Sequence, residues 1–280
     1  MPPSIPTALL IGLSIESHHL VLDRRGSMVW DIVTGSGRYA LKLGYPVAAT
    51  PEWPGQHWTA FAPGREAAVL THLGTEHVAS GYWEQGTWNI QPWHEGPDLQ
   101  HLWTHYRTDG TPPDIQTAIG CAGALADLHE AGWAHGDVQP AHFLIGPDRT
   151  HLIDLALALA LAHGKPVPEA VDFPFRGCLV HYEAPEISAA VLDEGHSVPT
   201  QAADVYGLGA TLLMAATGKR AVIYPDDAPR PVQRAAIVAG NRRAVTMPGP
   251  MGPIVVEMLR HDPQDRPAIT EVLREIARFT

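Results

Sequence analysis

The stretch AHGDVQPAHFLIGPDRTHLIDLA, from Ala134 to Ala156, constrains the fold of this 280-residue chain more than any other. Phe143–Ile145 and His151–Ile153 are short apolar runs separated by Gly146–Thr150, the pattern of a small β-hairpin. Upstream, Ile115, Ile119, Ala122, Leu125 and Leu128 recur at three-to-four spacing. Gly132 stands where a helix cap is wanted, so an amphipathic helix precedes the hairpin. Two carboxylates, Asp137 and Asp154, lie 17 residues apart on the loops that bracket this hairpin. Loops held by rigid elements are where catalytic groups tend to sit.

Before this segment the chain reads as strand-rich. His19–Leu22, Met28–Val33 and Arg38–Leu43 are predicted strands, separated by turns at Arg24–Gly26 and Thr34–Gly37. A Gly-, Pro- and Trp-containing insertion follows at Tyr45–Pro63. Gly64–Leu73 then reads as a short helix with Ala67, Leu70 and Leu73 on one face. Strand-like pieces surround Trp83 and Trp88–Ile90, and Pro92–Pro97 reads as a linker. The aromatic residues Trp53, Trp58, Trp83, Trp88 and Trp93 are expected to serve packing. After the hairpin, Ala202–Thr217 is a predicted helix that buries Val205, Leu208 and Leu212 and stops at Gly218. A last helix starts near Thr270, with Leu273 and Ile276 inward. The order of strands first and helices later points to an α+β fold.

Composition narrows the function classes. Hydrophobic residues make up 45%, enough for a core, while 26 Gly and 26 Pro predict many turns. The net charge is −11, and an acidic chain is a poor binder of a nucleic-acid backbone. The charge is uneven, with 9 basic and 23 acidic residues in 1–218 against 10 and 7 in 219–280, which reads as a solvated face. Cys121 and Cys178 lack the spacing of a disulfide framework or a structural zinc site. His101 and His105 are one helical turn apart without a third ligand. The apolar run Ala8–Leu13 has no preceding Lys or Arg, so a signal peptide is not expected. Leu152–Ala162 is too short to span a bilayer and contains Asp154. The expectation is a cytoplasmic protein with no membrane or nucleic-acid partner.

Two acids placed like Asp137 and Asp154 are what phosphoryl transfer needs: one orients and deprotonates the attacking hydroxyl, the other holds Mg²⁺ on the phosphates. Further segments follow in register. Gly177-Cys-Leu-Val-His-Tyr-Glu-Ala-Pro-Glu186 resembles the close of an activation segment with its Ala-Pro-Glu signature. Asp204-Val-Tyr-Gly-Leu-Gly209 resembles the start of a buried central helix. His261-Asp-Pro-Gln-Asp-Arg-Pro267 resembles the late loop whose Arg, here Arg266, pairs with Glu186. Tyr39-Ala-Leu-Lys42 resembles the third-strand Val-Ala-Ile-Lys element, and Lys42 is one of only three lysines in the chain. Glu66, inside the predicted helix, is its natural partner. From about residue 20 to 278 the chain resembles the eukaryotic-type (Hanks-type) protein kinase superfamily, as an atypical, bacterial-style member with a His-Gly-Asp catalytic loop.

The resemblance implies one bilobal domain spanning 1–280, with a strand-rich N-lobe to about 93 and a mainly helical C-lobe after it. It implies ATP and Mg²⁺ as cofactors, with Mn²⁺ as an alternative. Lys42, positioned by Glu66, would bind the α- and β-phosphates, and Asp137 would take the hydroxyl proton. Asp154 would ligate the metal. Gly26 and Val29 are what remains of the glycine-rich loop, and Gln91 and Trp93 lie in the linker expected to meet adenine. Glu186, Arg266 and Asp204 would be structural.

The departures are specific. Gln139 stands where the family has a Lys, in the catalytic group of Asp137, Lys42 and Glu66. His142 replaces the metal-binding Asn, and an imidazole suits softer metals than Mg²⁺. Gly136 replaces the Arg before the catalytic Asp, and Asp154-Leu-Ala replaces Asp-Phe-Gly. The leading reading is transfer of the γ-phosphate to a Ser/Thr hydroxyl of a protein or peptide, a precursor peptide in a modification pathway included, with room for a partner enzyme subunit. The alternatives are a catalytically inactive kinase-like binding module and a small-molecule phosphotransferase of the antibiotic-kinase type, which also carries His-Gly-Asp.

Overall fold

Alternation of apolar and polar residues organises the first unit. The computed structural model describes residues 3–49, 56–161 and 167–280; Trp53, part of the 45–63 insertion and Ala162 lie outside the described residues. Two compact units form, one from Met1–Trp93 with Gly164–Phe173, the other from His94–His163 with Pro174–Thr280.

The first unit contains α1 (Thr7–Gly12), β1 (Ile15–Arg24), β2 (Ser27–Thr34), β3 (Gly37–Gly44), α2 (Ala62–His72), β4 (Ala79–Trp83) and β5 (Gly86–Pro92). The strands form an antiparallel sheet in the order β1-β2-β3-β5-β4. Met28, Trp30 and Ile32 of β2 and Tyr39, Leu41 and Leu43 of β3 form one apolar cluster with Ile5. Leu9, Leu10 and Leu13 pack against that cluster. The apolar run Ala8–Leu13 is thus a short helix covering a sheet face. Register puts Val29, Lys42 and Asn89 in one row across β2, β3 and β5, offset by one residue from the apolar set and therefore on the opposite face.

Two details of this unit differ from the sequence expectation. The β1–β2 connection is a two-residue turn, with Arg24 paired to Ser27. Arg25 and Gly26 have φ of 52° and 84°, the signs of a type I′ hairpin. Gly26 is buried there, and a Cβ on it would lie 2.7 Å from the Tyr45 carbonyl oxygen. Gln91 also belongs to β5 rather than to the linker.

The second unit contains α3 (Leu99–Leu102), α4 (Thr104–Asp109), α5 (Ile115–Glu130), β6 (Trp133–Ala134), β7 (Phe143–Ile145), β8 (Thr150–Leu152), β9 (Leu159–Ala160), α6 (Pro185–Glu194), α7 (Gln201–Thr217), α8 (Arg230–Val238), α9 (Gly252–Met258) and α10 (Ile269–Ala277). Asp114 caps α5 by accepting from the Gln116 and Thr117 amides. Thr200 caps α7, whose far end stops at Gly218 in the left-handed region. Val205, Tyr206, Leu208, Leu212 and Leu213 bury α7 in a core shared with α5, α9 and α10. Among the described residues no helix is long and apolar enough to cross a membrane.

A buried ion pair, not singled out from the sequence, ties the 176–188 stretch to α8. Glu183 is 1% exposed and accepts from Arg234 Nε at 2.7 Å and Nη2 at 2.9 Å. It also accepts from Ser188 Oγ at 2.6 Å and the Cys178 amide at 3.0 Å. A buried carboxylate with all its hydrogen bonds made is costly to disturb, because removing it strands the buried guanidinium. Glu183→Ala is expected to destabilise the protein by about 3–5 kcal/mol in urea unfolding; a change within about 0.5 kcal/mol, the range of ordinary surface substitutions, would show that the pair does not hold this stretch.

Candidate active site

In the second unit, the loops carrying the two acids are built around Asp204. Its carboxylate, buried at the start of α7, accepts from the His135 amide at 2.6 Å, the Gly136 amide at 2.9 Å and His129 Nε2 at 3.0 Å. Gly136 is required for this geometry: its φ is +80°, and a Cβ would lie 2.8 Å from the Leu157 carbonyl oxygen. An Arg at this position would meet that obstruction.

Two histidines then join the Asp137 loop to the Asp154 loop. The Asp137 amide donates to His135 Nδ1 at 3.1 Å, and His135 Nε2 donates to the Ile153 carbonyl at 3.1 Å. A carbonyl only accepts, so the His135 proton sits on Nε2. Burial lowers the pKa of this fully enclosed ring and keeps it neutral. His142 has the opposite arrangement. Its Nδ1 donates to the Asp137 carbonyl at 2.8 Å, while Nε2 stands 3.3 Å from Asp154 Oδ2. The Ile153 amide completes the junction by donating to the His142 carbonyl at 2.9 Å. Asp154 itself has φ 64° and ψ 62°, a left-handed conformation that a non-glycine residue adopts only when its surroundings impose it.

Asp137 is thereby presented with one oxygen held and one open. Gln139 Nε2 donates to Oδ2 at 2.9 Å. Oδ1 is buried and has no hydrogen-bond partner among the described residues. Burial raises the Asp137 pKa from its ordinary value; the His142 charge opposes the rise and the nearby Asp154 charge adds to it. Glu186 and Arg266 form a two-pronged pair at 2.7 Å on each arm, and Arg266 also donates to the carbonyls of Ala202, Arg260 and His261. In the linker, His94 stacks on His151 with ring centres 3.8 Å apart, and burial drives its pKa down to about 4.

In the first unit, Lys42 Nζ donates to Glu66 Oε1 at 2.7 Å, with Glu66 1% exposed on α2. Asn89 Nδ2 donates to Glu66 Oε2 at 3.2 Å and to the Pro63 carbonyl at 2.8 Å. Gln91 Nε2 donates in turn to Asn89 Oδ1 at 3.2 Å. The side chain of Gln91 therefore serves the lysine–glutamate pair at second hand. Trp93 lies against the Arg38 guanidinium, 4.7 Å from the ring centre, and its amide donates to the Arg38 carbonyl. Val29 is half-buried beside Lys42 in register.

Sequence reasoning passed over Asn89 and the joining role of His135. Asn89 had a signal: it is a polar residue in the apolar run Trp88–Ile90, one register step from Lys42. His135 had none, since its partners are backbone groups.

A strand sheet bearing a Lys–Glu pair, a helical unit bearing two acids around a hairpin, and an Ala-Pro-Glu carboxylate locked to a distant Arg define the protein kinase class. The comparisons agree and support membership of the protein kinase superfamily. It is similar to serine/threonine-protein kinase PkaA of Streptomyces coelicolor, 29% identical over 187 residues, 64% of this chain and 32% of that protein. Serine/threonine-protein kinase PknK of Mycobacterium tuberculosis is 28% identical over 197 residues, 68% of this chain and 17% of PknK. Serine/threonine-protein kinase 16 of Mus musculus is 24% identical over 167 residues, 56% of this chain and 53% of that protein. The chain thus spans from about a sixth to about half the length of these relatives. No protein-family model matches it.

The raised pKa of Asp137 carries a stability consequence. A carboxyl whose pKa is higher in the folded state contributes stability that is full below its unfolded value, near 3.8, and is lost as pH rises through the folded value. Asp137→Asn removes that loss. The variant is expected to unfold at higher urea concentration than wild type at pH 7, with the gap closing as pH falls toward 4. A gap independent of pH would contradict the assignment.

Proposed function

We propose that this chain is an ATP-dependent phosphotransferase that moves the γ-phosphoryl group to a Ser or Thr hydroxyl of a protein or peptide. The observation that carries this reading is Asp137, with Oδ2 fixed by Gln139 and a buried Oδ1 open to a hydroxyl proton. A base held in one orientation contributes to rate through position and proton affinity together. The hydroxyl oxygen bonds to the γ-phosphorus, the bond from that phosphorus to the β–γ bridging oxygen breaks, and the hydroxyl proton passes to Asp137 Oδ1. ADP leaves with the bridging oxygen.

Lys42, held by Glu66, supplies the positive charge for the α- and β-phosphates. We read the two compact units as the two lobes of one kinase domain. The donors Asp154 and His142 fit a divalent ion carried by the nucleotide, since such an ion needs only one or two protein ligands beside phosphates and water. That ion would neutralise phosphate charge. Gln139, in place of a lysine, acts as a positioning residue for Asp137 and brings no charge of its own. The names of the relatives support a peptide acceptor over a small molecule.

Transfer of labelled γ-phosphate to a degenerate Ser/Thr peptide mixture tests the proposal. Wild type is expected to transfer, Asp137→Asn to lose about 10²- to 10⁴-fold in rate while still binding ATP, and Lys42→Ala to lose ATP affinity. Absence of transfer by wild type, or unchanged transfer by Asp137→Asn, would overturn it.

A further inference from the structure

His142 occupies an unusual electrostatic position. Its Nδ1 donates to the Asp137 carbonyl at 2.8 Å, which leaves Nε2 as the ring's ligating atom. Nε2 stands 3.3 Å from Asp154 Oδ2, so a ring nitrogen and a carboxylate oxygen face one another. Donor atoms next to each other on one divalent ion stand about 3 Å apart, given metal–ligand bonds of roughly 2.0–2.2 Å. A ligating histidine characteristically gives its other ring N–H to a backbone carbonyl or carboxylate, which fixes its tautomer and raises its basicity. His142 has that support already, in a buried ring set by the 3₁₀ turn Pro140–His142. Among the described residues no three His, Cys, Asp or Glu side chains converge on one point. Among the described residues, the protein's influence on metal choice therefore rests on this one nitrogen and one carboxylate, beside phosphates and water.

Mg²⁺ is a hard ion that prefers oxygen throughout its shell, whereas first-row transition ions gain from an imidazole nitrogen. We propose that His142 Nε2, paired with Asp154, makes this site select a divalent first-row transition ion over Mg²⁺. The proposal rests on the nucleotide-binding reading above and specifies the ion used by that same site. Neither the Lys42–Glu66 pair nor the Asp137 base enters it.

The test uses Mn²⁺ as the probe, with ADP and the intact chain, so that no turnover is involved. Pulsed electron paramagnetic resonance of the protein–ADP–Mn²⁺ complex, with the protein's histidines labelled with ¹⁵N, is expected to show a ¹⁵N coupling to the metal. Because the label is confined to histidine, adenine nitrogen does not contribute. His142→Asn is expected to abolish the coupling and to lower the ratio of Mn²⁺ to Mg²⁺ affinity by about tenfold or more, the range seen when metal-site partners are removed. His142→Gln is the second variant, and the wild-type spectrum needs neither. Mn²⁺ and ADP bound together without a histidine coupling, or an affinity ratio unchanged in both variants, would overturn the proposal and leave the nucleotide reading standing. Failure of ADP to bind with either metal would overturn the nucleotide reading itself, and the metal selectivity with it.

Discussion

The Asp204 carboxylate is the interaction on which the second unit's chemistry depends. It accepts three hydrogen bonds, two from consecutive backbone amides of the loop and one from His129. Successive amides pointing at one oxygen pair form an anion-binding concavity in the backbone. The anion here is supplied from within, by the best-buried helix of the unit. Once that turn is fixed, the direction of the chain into Asp137 follows, and Gly136 is the only residue type that meets the turn without a clash. The place where the family has an arginine is therefore governed by backbone conformation.

From that anchor the order spreads sideways through imidazoles. Both His135 and His142 bind backbone on one ring nitrogen and address the second acid loop with the other. His135, buried and kept neutral, is well suited to this task, because it offers one donor and one acceptor in fixed directions at little desolvation cost. The first unit uses amides for the same purpose. There Asn89 and Gln91 form a hydrogen-bonded chain behind Glu66, so the carboxylate facing Lys42 is held from both oxygens. In each unit a charged group is oriented by neutral polar neighbours, which fits a chain with few charged residues overall.

Much of this was legible in the sequence, for physical reasons that differ by element. The helices α5 and α7 announce themselves by apolar spacing and by glycines at their ends; α7 runs within a residue of the pattern and α5 two residues past its last apolar position. The pair of Lys42 with Glu66 was legible through the resemblance of Tyr39-Ala-Leu-Lys42 to the third-strand kinase element, with Glu66 in the helix that follows. Less legible was whatever depends on backbone partners or on distant sequence. The length of the β1–β2 turn, two residues at Arg25–Gly26, is set by strand register and not by the local sequence. The helix α6 begins within the Ala-Pro-Glu signature, where proline reads as a breaker although it is acceptable at a first helical turn. Glu183 and Arg234, 51 residues apart, carry no local pattern that joins them.

The central claim is that the His135 ring and the His142 backbone carbonyl hold the acid-bearing loops together, with the His142 ring oriented by the Asp137 carbonyl. Long-range ¹H–¹⁵N correlation of the histidine side chains, in metal-free protein above pH 7, reads the tautomers directly. The account predicts His135 protonated on Nε2 alone, and a proton on His142 Nδ1 held in its hydrogen bond to the Asp137 carbonyl, each as a single slowly exchanging form. A proton on His135 Nδ1, a bare His142 Nδ1, or averaged signals of a freely exchanging ring at either position would contradict it.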